Sequence, residues 1–134
     1  NQLSLKWIFI ALAGSLLPDL DHFYYFLTYG KNDWYTVEIK KLFKSKQWRM
    51  LSVFMADGHK QNTNLASHNI YFMAFLFGLA CLSFLFEMQT AVVLLGAMII
   101  HYAFDILDDF LLLGGLNPNW KRWGRERRNK PITQ

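Results

Sequence analysis

Long apolar runs alternate with polar segments along this chain, and the runs have the lengths of helices. Residues 65–86 contain no Asp, Glu, Lys or Arg over 22 positions, which matches the about 20 residues that a helix needs to cross a bilayer. Residues 90–113 form a second run, in which carboxylates occur only in the C-terminal half. The two runs predict a helical hairpin that turns at residues 87–89.

A shorter apolar run lies near the start of the sequence. Residues 5–17 end at Pro18, and residues 20–29 continue the apolar pattern with aromatic side chains. The pattern predicts helices at 5–17 and 20–29. The first run also has the character of a secretory signal, but no small-residue cleavage site follows it, so we interpret it as a retained helix.

Two further segments carry most of the basic residues. Residues 34–51 mix lysines with Phe and Trp, a pattern that predicts an amphipathic helix in the headgroup region of a membrane, although a solvated helix would also show it. Residues 116–134 predict a basic tail. Together the segments predict an all-α fold: a single domain over residues 1–134 that forms a small integral-membrane helical bundle, with about three membrane helices and one interfacial amphipathic helix.

Composition supports this segregation of polar and apolar residues. The chain is 53% hydrophobic and 17% aromatic, yet its mean hydropathy is only +0.11, so the polar residues must lie in their own segments. Cys81 is the one cysteine of the sequence. A single thiol excludes an intrachain disulfide and a cysteine-based zinc cluster within one chain.

The basic residues indicate an orientation. Of the 14 Lys and Arg residues, seven lie in residues 31–60 and six in residues 121–130, whereas Lys6 lies at the other end of the first helix. By the positive-inside rule the face with 13 basic residues is cytoplasmic. We therefore predict an integral protein of a bacterial inner membrane with a cytoplasmic C-terminus. Nucleic-acid binding by the tail is a weaker explanation of the charge.

Histidines and carboxylates cluster in three segments that the predicted helices bring to this face. His101 and Asp105 are four residues apart and so share one side of a helix, with Asp108 a turn further on. A carboxylate in a membrane helix costs about 2.5–3.5 kcal/mol on insertion scales, so it normally has a partner. The partner is a metal ion, or the His101–Asp105 hydrogen bond merely ties helices together, or the carboxylates are simply hydrated at the cytoplasmic mouth.

The other two segments supply more potential ligands. Neutral imidazole and carboxylate without thiolate suit zinc, manganese or iron, and we predict a divalent metal, with zinc or manganese favoured. The candidates exceed the four ligands of a tetrahedral ion, so either one metal with supporting residues or two metals would fit. The predicted metal ligands are Asp19, Asp21, His22, His59, His68, His101 and Asp105.

Three motifs resemble those of the YdjM-like family of predicted membrane-bound metal-dependent hydrolases. Pro18-Asp19-Leu20-Asp21-His22 resembles the family's Pro-Asp-x-Asp-His motif, and His101 with Asp105 resembles its His-x-x-x-Asp motif. The family's middle motif, His-Arg-Gly-x-Thr-His-Ser, is altered. His68 occupies its second histidine, whereas Thr63 occupies its first, and His59 is a candidate to replace the missing ligand.

The resemblance implies metal-assisted hydrolysis, with Asp21 or Asp108 as the general base. A site at the membrane interface with basic residues around it favours a phosphoester or another lipid-like substrate, so that membrane lipid is the expected partner. The alternative is a non-catalytic membrane subunit or anchor with a structural or vestigial metal site, which binds a protein partner through the basic tail. A proton or ion conductor is a third alternative, and it would require an oligomer.

Overall fold

The computed structural model describes residues 4–62 and 65–121, apart from the side chains of residue 57 and residues 59–62. The described part of the chain is all-α, as predicted. Six α-helices are followed by a short 3₁₀ turn. They are α1 (Leu5–Leu16), α2 (Leu20–Leu27), α3 (Trp34–Lys44), α4 (Trp48–Asn62), α5 (Ile70–Leu85), α6 (Gln89–Leu113) and the turn Pro118–Lys121.

The longest helix, α6, packs against both α1 and α5. Helix α1 lies so close to α6 that a Cβ added at Gly14 would be 2.9 Å from Cβ of Ala97 and would press on the carbonyl oxygen of Leu94. The missing side chain of Gly14 is therefore what permits this approach. Small residues play this part where helices pack in a membrane.

The predicted hairpin of α5 and α6 is confirmed. Helix α5 ends in a left-handed residue, Glu87, whose φ is 56°. The N–H of Glu87 donates to the Phe84 carbonyl at 3.1 Å, and the N–H of Met88 donates to the Ser83 carbonyl at 2.8 Å. These two bonds form a Schellman motif, which satisfies the last carbonyls of α5 and turns the chain into α6.

The prediction of about three membrane helices is wrong by helix length. Within the described residues, only α6 is long and apolar enough to cross a membrane: it has 25 residues, and its most apolar 18-residue window has a mean hydropathy of 1.9. Only 6% of its most apolar window is buried inside the protein. Helices α1 and α5 have 12 and 16 residues, fewer than the about 20 that span a bilayer.

The prediction of a helix over 65–86 is wrong at its start, because residues 65–69 form a non-helical loop. Asn69 ends the loop as the N-cap of α5. Its Oδ1 accepts the N–H of Phe72 at 2.9 Å, and its Nδ2 donates to the carbonyl of Ala66 at 2.6 Å. An N-cap side chain stabilises a helix start by satisfying one of its free N–H groups. The cap also fixes the loop that carries His68.

The predicted helix over 34–51 is two helices, α3 and α4, which pack against each other. Between them Lys46 has a left-handed φ of 55°. Its N–H donates to the Phe43 carbonyl at 3.1 Å, and the N–H of Gln47 donates to the Leu42 carbonyl at 3.0 Å. This second Schellman motif ends α3. Many basic and apolar side chains of the pair are exposed, in keeping with an amphipathic surface.

The start of the predicted basic tail folds back onto α6. Trp120 is buried with Tyr102 and Leu76. Its Nε1–H donates to Oδ2 of the buried Asp109 at 2.8 Å, and the N–H of Asn117 donates to the same oxygen at 3.2 Å. These contacts close one end of the helix bundle. Residues 122–134, which make up most of the predicted tail, lie outside the described part.

Candidate metal centre

Two histidines and one carboxylate meet at this closed end of the bundle. Oδ2 of Asp105 lies 3.3 Å from Nε2 of His101, a turn earlier on α6, and 3.5 Å from Nε2 of His68, in the loop before α5. One ligand atom from each residue lies within 4.8 Å of the other two. A tetrahedral zinc ion with ligands at about 2.1 Å separates them by roughly 3.4 Å. The three side chains could therefore hold a metal ion.

The chemistry of His101 fits a bound cation. Nε2 of His101 is buried, and it makes no hydrogen bond within residues 4–62 and 65–121. A buried polar atom without a hydrogen bond costs about 1–3 kcal/mol. A cation on this nitrogen would remove that cost and would also neutralise the carboxylate of Asp105 beside it.

A second carboxylate faces the same histidine from the junction of α1 and α2. Oδ1 of Asp19 lies 3.6 Å from Nε2 of His101, and its side chain is 49% exposed. Asp19 comes directly after Pro18, in the turn that joins the two helices. It therefore stands at the solvent side of the group formed by His68, His101 and Asp105.

Asp21 contacts the loop rather than the three ligand atoms. Its Oδ2 accepts the backbone N–H of Ser67 at 2.8 Å and the hydroxyl of Ser67 at 2.9 Å. Its Oδ1 accepts the hydroxyl of Tyr29 at 3.1 Å. The same Oδ2 lies 3.7 Å from Nδ1 of His68, on the side of the ring that faces away from Asp105. Asp21 thus fixes both the loop and the orientation of the His68 ring.

The surroundings shift the pKa values of this pair. Burial alone would raise the pKa of Asp21, but the neighbouring His68 ring and the hydrogen bonds from Ser67 and Tyr29 outweigh it and lower the pKa to about 2. Burial alone would lower the pKa of His68, but the carboxylates of Asp105 and Asp21 raise it above its usual value. In the metal-free protein His68 therefore holds a proton more firmly than a histidine side chain in water does.

The remaining predicted residues lie at different distances from this group. The ring of His22 packs edge-to-face on the ring of His68, with their centres 5.1 Å apart. Asp108 is exposed on α6, one turn beyond Asp105. His59 belongs to α4, but its side chain is outside the described part. The structure thus brings together six of the predicted site residues: Asp19, Asp21, His22, His68, His101 and Asp105.

Two aromatic residues that support the site, Tyr102 and Trp120, were not predicted from the sequence. The hydroxyl of Tyr102 donates to Oγ of Ser67 at 3.1 Å, so that it braces the loop from α6. The ring centres of Tyr102 and Trp120 lie 5.2 and 6.2 Å from that of His68. Tyr102 directly follows His101 in the sequence, so its closeness to the site could have been predicted. Nothing in the local pattern around Trp120 indicates that it returns to the site.

No family model, curated protein or solved structure matches this chain. The resemblance to the YdjM-like hydrolases therefore stays a prediction that depends on its motif residues. The geometry defines the kind of site independently of that resemblance. It is a group of two imidazoles and one carboxylate, able to hold a metal ion, at one end of a helical bundle with an apolar surface.

Proposed function

We propose that this protein is a membrane-embedded metal-dependent hydrolase. The observation that carries the proposal is the convergence of His68, His101 and Asp105, which come from a loop and a helix far apart in sequence. Two imidazoles with one carboxylate are the donor set of zinc sites that keep one position open for water, whereas structural zinc sites have four protein ligands. Such a donor set suits hydrolysis better than a purely structural role.

Each residue of the site has a proposed role. His68 and His101 would hold the metal through Nε2 and Asp105 through a carboxylate oxygen, and the bound metal would supply Lewis-acid chemistry for hydrolysis. Asp21 orients His68 through Nδ1. Oδ1 of Asp19 lies 3.6 Å from Nε2 of His101, and the Asp19 side chain is half exposed. Its carboxylate accepts the proton that the attacking water gives up.

We propose Asp19 as the general base in place of Asp21 and Asp108, which the sequence favoured. Both oxygens of Asp21 already accept hydrogen bonds, and a pKa of about 2 makes its carboxylate a weak base. Asp108 is exposed on α6, one turn away from the ligand Asp105.

A membrane setting supports a lipid-like substrate. Helix α6 exposes Phe104, Leu111 and Leu112 by 65–75%, and an apolar surface of this kind favours contact with lipid. The basic residues of α3 and α4 would attract anionic headgroups. We therefore propose a phosphoester substrate at the cytoplasmic interface of an inner membrane.

The test is metal content and turnover of the purified full chain in lipid nanodiscs. We expect bound zinc or manganese in the parent and in Glu38→Gln. This control removes a partly exposed carboxylate on α3. We expect loss of the metal in His101→Ala and Asp105→Asn, with circular dichroism showing that both keep their helices. A parent protein that binds no divalent metal would overturn the proposal. Bound metal without hydrolysis of any lipid phosphoester would instead favour the non-catalytic membrane subunit.

A further inference from the structure

We infer that an apolar cavity beside the metal centre takes the hydrocarbon chain of the substrate, an inference that rests on the proposed hydrolase function. The cavity has a volume of about 490 Å³, within the range of about 300–1,000 Å³ that small-molecule sites occupy. We call it the chain cavity. Its lining includes Leu17, Leu20, Asp21, Ser67, Phe72 and Met98.

The chain cavity adjoins the residues that hold His68 in place. Asp21 and Ser67 line the cavity, and the same two residues hold the loop that carries His68. Phe72 lies one turn inside α5 and Met98 lies one turn before His101 on α6. The cavity therefore lies between the loop that carries His68 and apolar side chains of α5 and α6.

The lining favours hydrocarbon over a polar group. Leu17, Leu20, Phe72 and Met98 offer no hydrogen bonds, and Asp21 and Tyr102 are already engaged with Ser67. Tyr24, the other lining tyrosine, is 60% exposed. A polar ligand group there would lose its water without new partners, which costs free energy. An alkyl chain makes no hydrogen bonds to water, so it would lose none on entering the cavity.

The position of the opening fits a ligand that arrives from a bilayer. Leu17 and Leu20, at the α1–α2 junction, are 39% and 55% exposed while they also line the cavity. The cavity thus opens to the surface beside apolar faces of the neighbouring helices. An amphiphile could place its anionic head near the metal ligands and its chain between α2, α5 and α6. The occupant we infer is a single alkyl chain that carries a phosphate head.

The first experiment uses ethyl phosphate and butyl phosphate as ligands of the cobalt-loaded full chain, with the visible absorption of the metal as the readout. Each methylene that leaves water for an apolar site contributes up to about fourfold in affinity. We expect butyl phosphate to bind on the order of tenfold more tightly than ethyl phosphate. In Leu17→Trp, which fills the cavity, the preference for the longer chain should be lost.

Leu16→Trp is the matched control, because Leu16 is the preceding residue on α1, is 62% exposed and does not line the cavity. It should keep the preference for the longer chain. Leu20→Trp serves as a second filling variant if Leu17→Trp fails to fold. Equal binding of both phosphates by the unmodified protein would overturn the inference and leave the hydrolase proposal intact.

The second experiment needs no metal. Dodecyl phosphate with a photoreactive diazirine on its chain is mixed with the full chain in nanodiscs, and the labelled residues are found by mass spectrometry. We expect labelling at Phe72 and Met98 that excess dodecyl phosphate suppresses, and labelling at the exposed Phe104 that it does not. Suppressible labelling in a protein without metal would support the cavity and refute the hydrolase. No suppressible labelling, or crosslinks there to a second copy of the chain, would overturn the inference.

Discussion

Asp21 and Asp105 lie on opposite sides of the His68 ring, with Oδ2 of Asp21 3.7 Å from Nδ1 and Oδ2 of Asp105 3.5 Å from Nε2. One ring nitrogen therefore faces the candidate ligands, and the other faces a carboxylate that Ser67 holds in place. In metal sites a carboxylate on the far nitrogen fixes the orientation of the ring and strengthens the ligand. The finding separates two carboxylates that the sequence had placed in one ligand set.

Asp21→Asn should weaken metal binding without abolishing it. Loss of such an orienting carboxylate typically costs 10–100-fold in metal affinity, so we expect a decrease on the order of 10–100-fold, measured by competition with a chromophoric chelator. His68→Ala should reduce the affinity much further, and the distant Glu38→Gln should not change it. If Asp21→Asn lost metal as completely as His68→Ala, Asp21 would itself be a ligand.

Metal affinity should fall as the pH is lowered through the pKa of His68. A metal ion needs the neutral imidazole, and the flanking carboxylates raise the pKa of His68 above its usual value. Below that pKa each pH unit should cost about tenfold in affinity. Titrations with zinc across the range would measure the decline. In Asp21→Asn the pKa of His68 should drop, so the decline should begin at a lower pH.

The metal-free protein should show the opposite dependence on pH. Because the pKa of His68 is higher in the folded state than in the unfolded state, the proton on His68 stabilises the fold. This stability is fully present below the unfolded pKa of about 6.5 and is lost as the pH rises through the folded pKa. Thermal unfolding after treatment with a chelator would measure it. A melting temperature of that protein that rises over this interval would contradict the ion pairs around His68.

Trp120→Phe should destabilise the closed end of the bundle. The substitution keeps an aromatic ring but removes the N–H that donates to Asp109, whose exposure is 3%. A lost hydrogen bond to a buried carboxylate costs about 1–3 kcal/mol of unfolding free energy. Trp48→Phe, at a 55% exposed position, should change it by less than about 0.5 kcal/mol. Equal unfolding free energies for the two variants would show that the bond to Asp109 contributes nothing.

Sequence patterns predicted those parts of the fold and site that depend on local spacing. The four-residue interval between His101 and Asp105 placed both on one face of α6. The apolar runs predicted the α5–α6 hairpin. The ends of the runs placed the segment around Asp19 and the segment around His68 at the same end of the bundle, where the structure has them.

Other features depend on backbone turns and distant contacts that no local pattern specifies. Glycine is the usual residue at the left-handed end of a Schellman motif, but Lys46 and Glu87 occupy it here. The break after α3 was therefore hidden inside an amphipathic pattern. Asn69 was a readable N-cap, yet it lay inside an uncharged run that predicted a longer helix. The return of Trp120 to Asp109 is a tertiary contact of a segment that looked only basic.

A glycine-to-alanine substitution should lower the unfolding free energy at Gly14 and raise it at Gly78. Gly→Ala inside a helix normally stabilises by about 1 kcal/mol, and this is the result we expect at Gly78, where an added Cβ meets nothing within 4 Å. At Gly14 the added Cβ would lie 2.9 Å from Cβ of Ala97, so α1 must move away from α6. We expect Gly14→Ala to lower the unfolding free energy by about 1–3 kcal/mol.

The same movement should reach the metal centre, because Asp19 follows the end of α1 and lies 3.6 Å from His101 on α6. Gly14→Ala should therefore also slow hydrolysis if Asp19 accepts the proton, while Gly78→Ala leaves it unchanged. Denaturant unfolding and turnover of the two variants, measured side by side, check both effects. If both variants were stabilised, α1 and α6 would not be in close contact at Gly14, and Asp19 would lose the support that holds it beside His101.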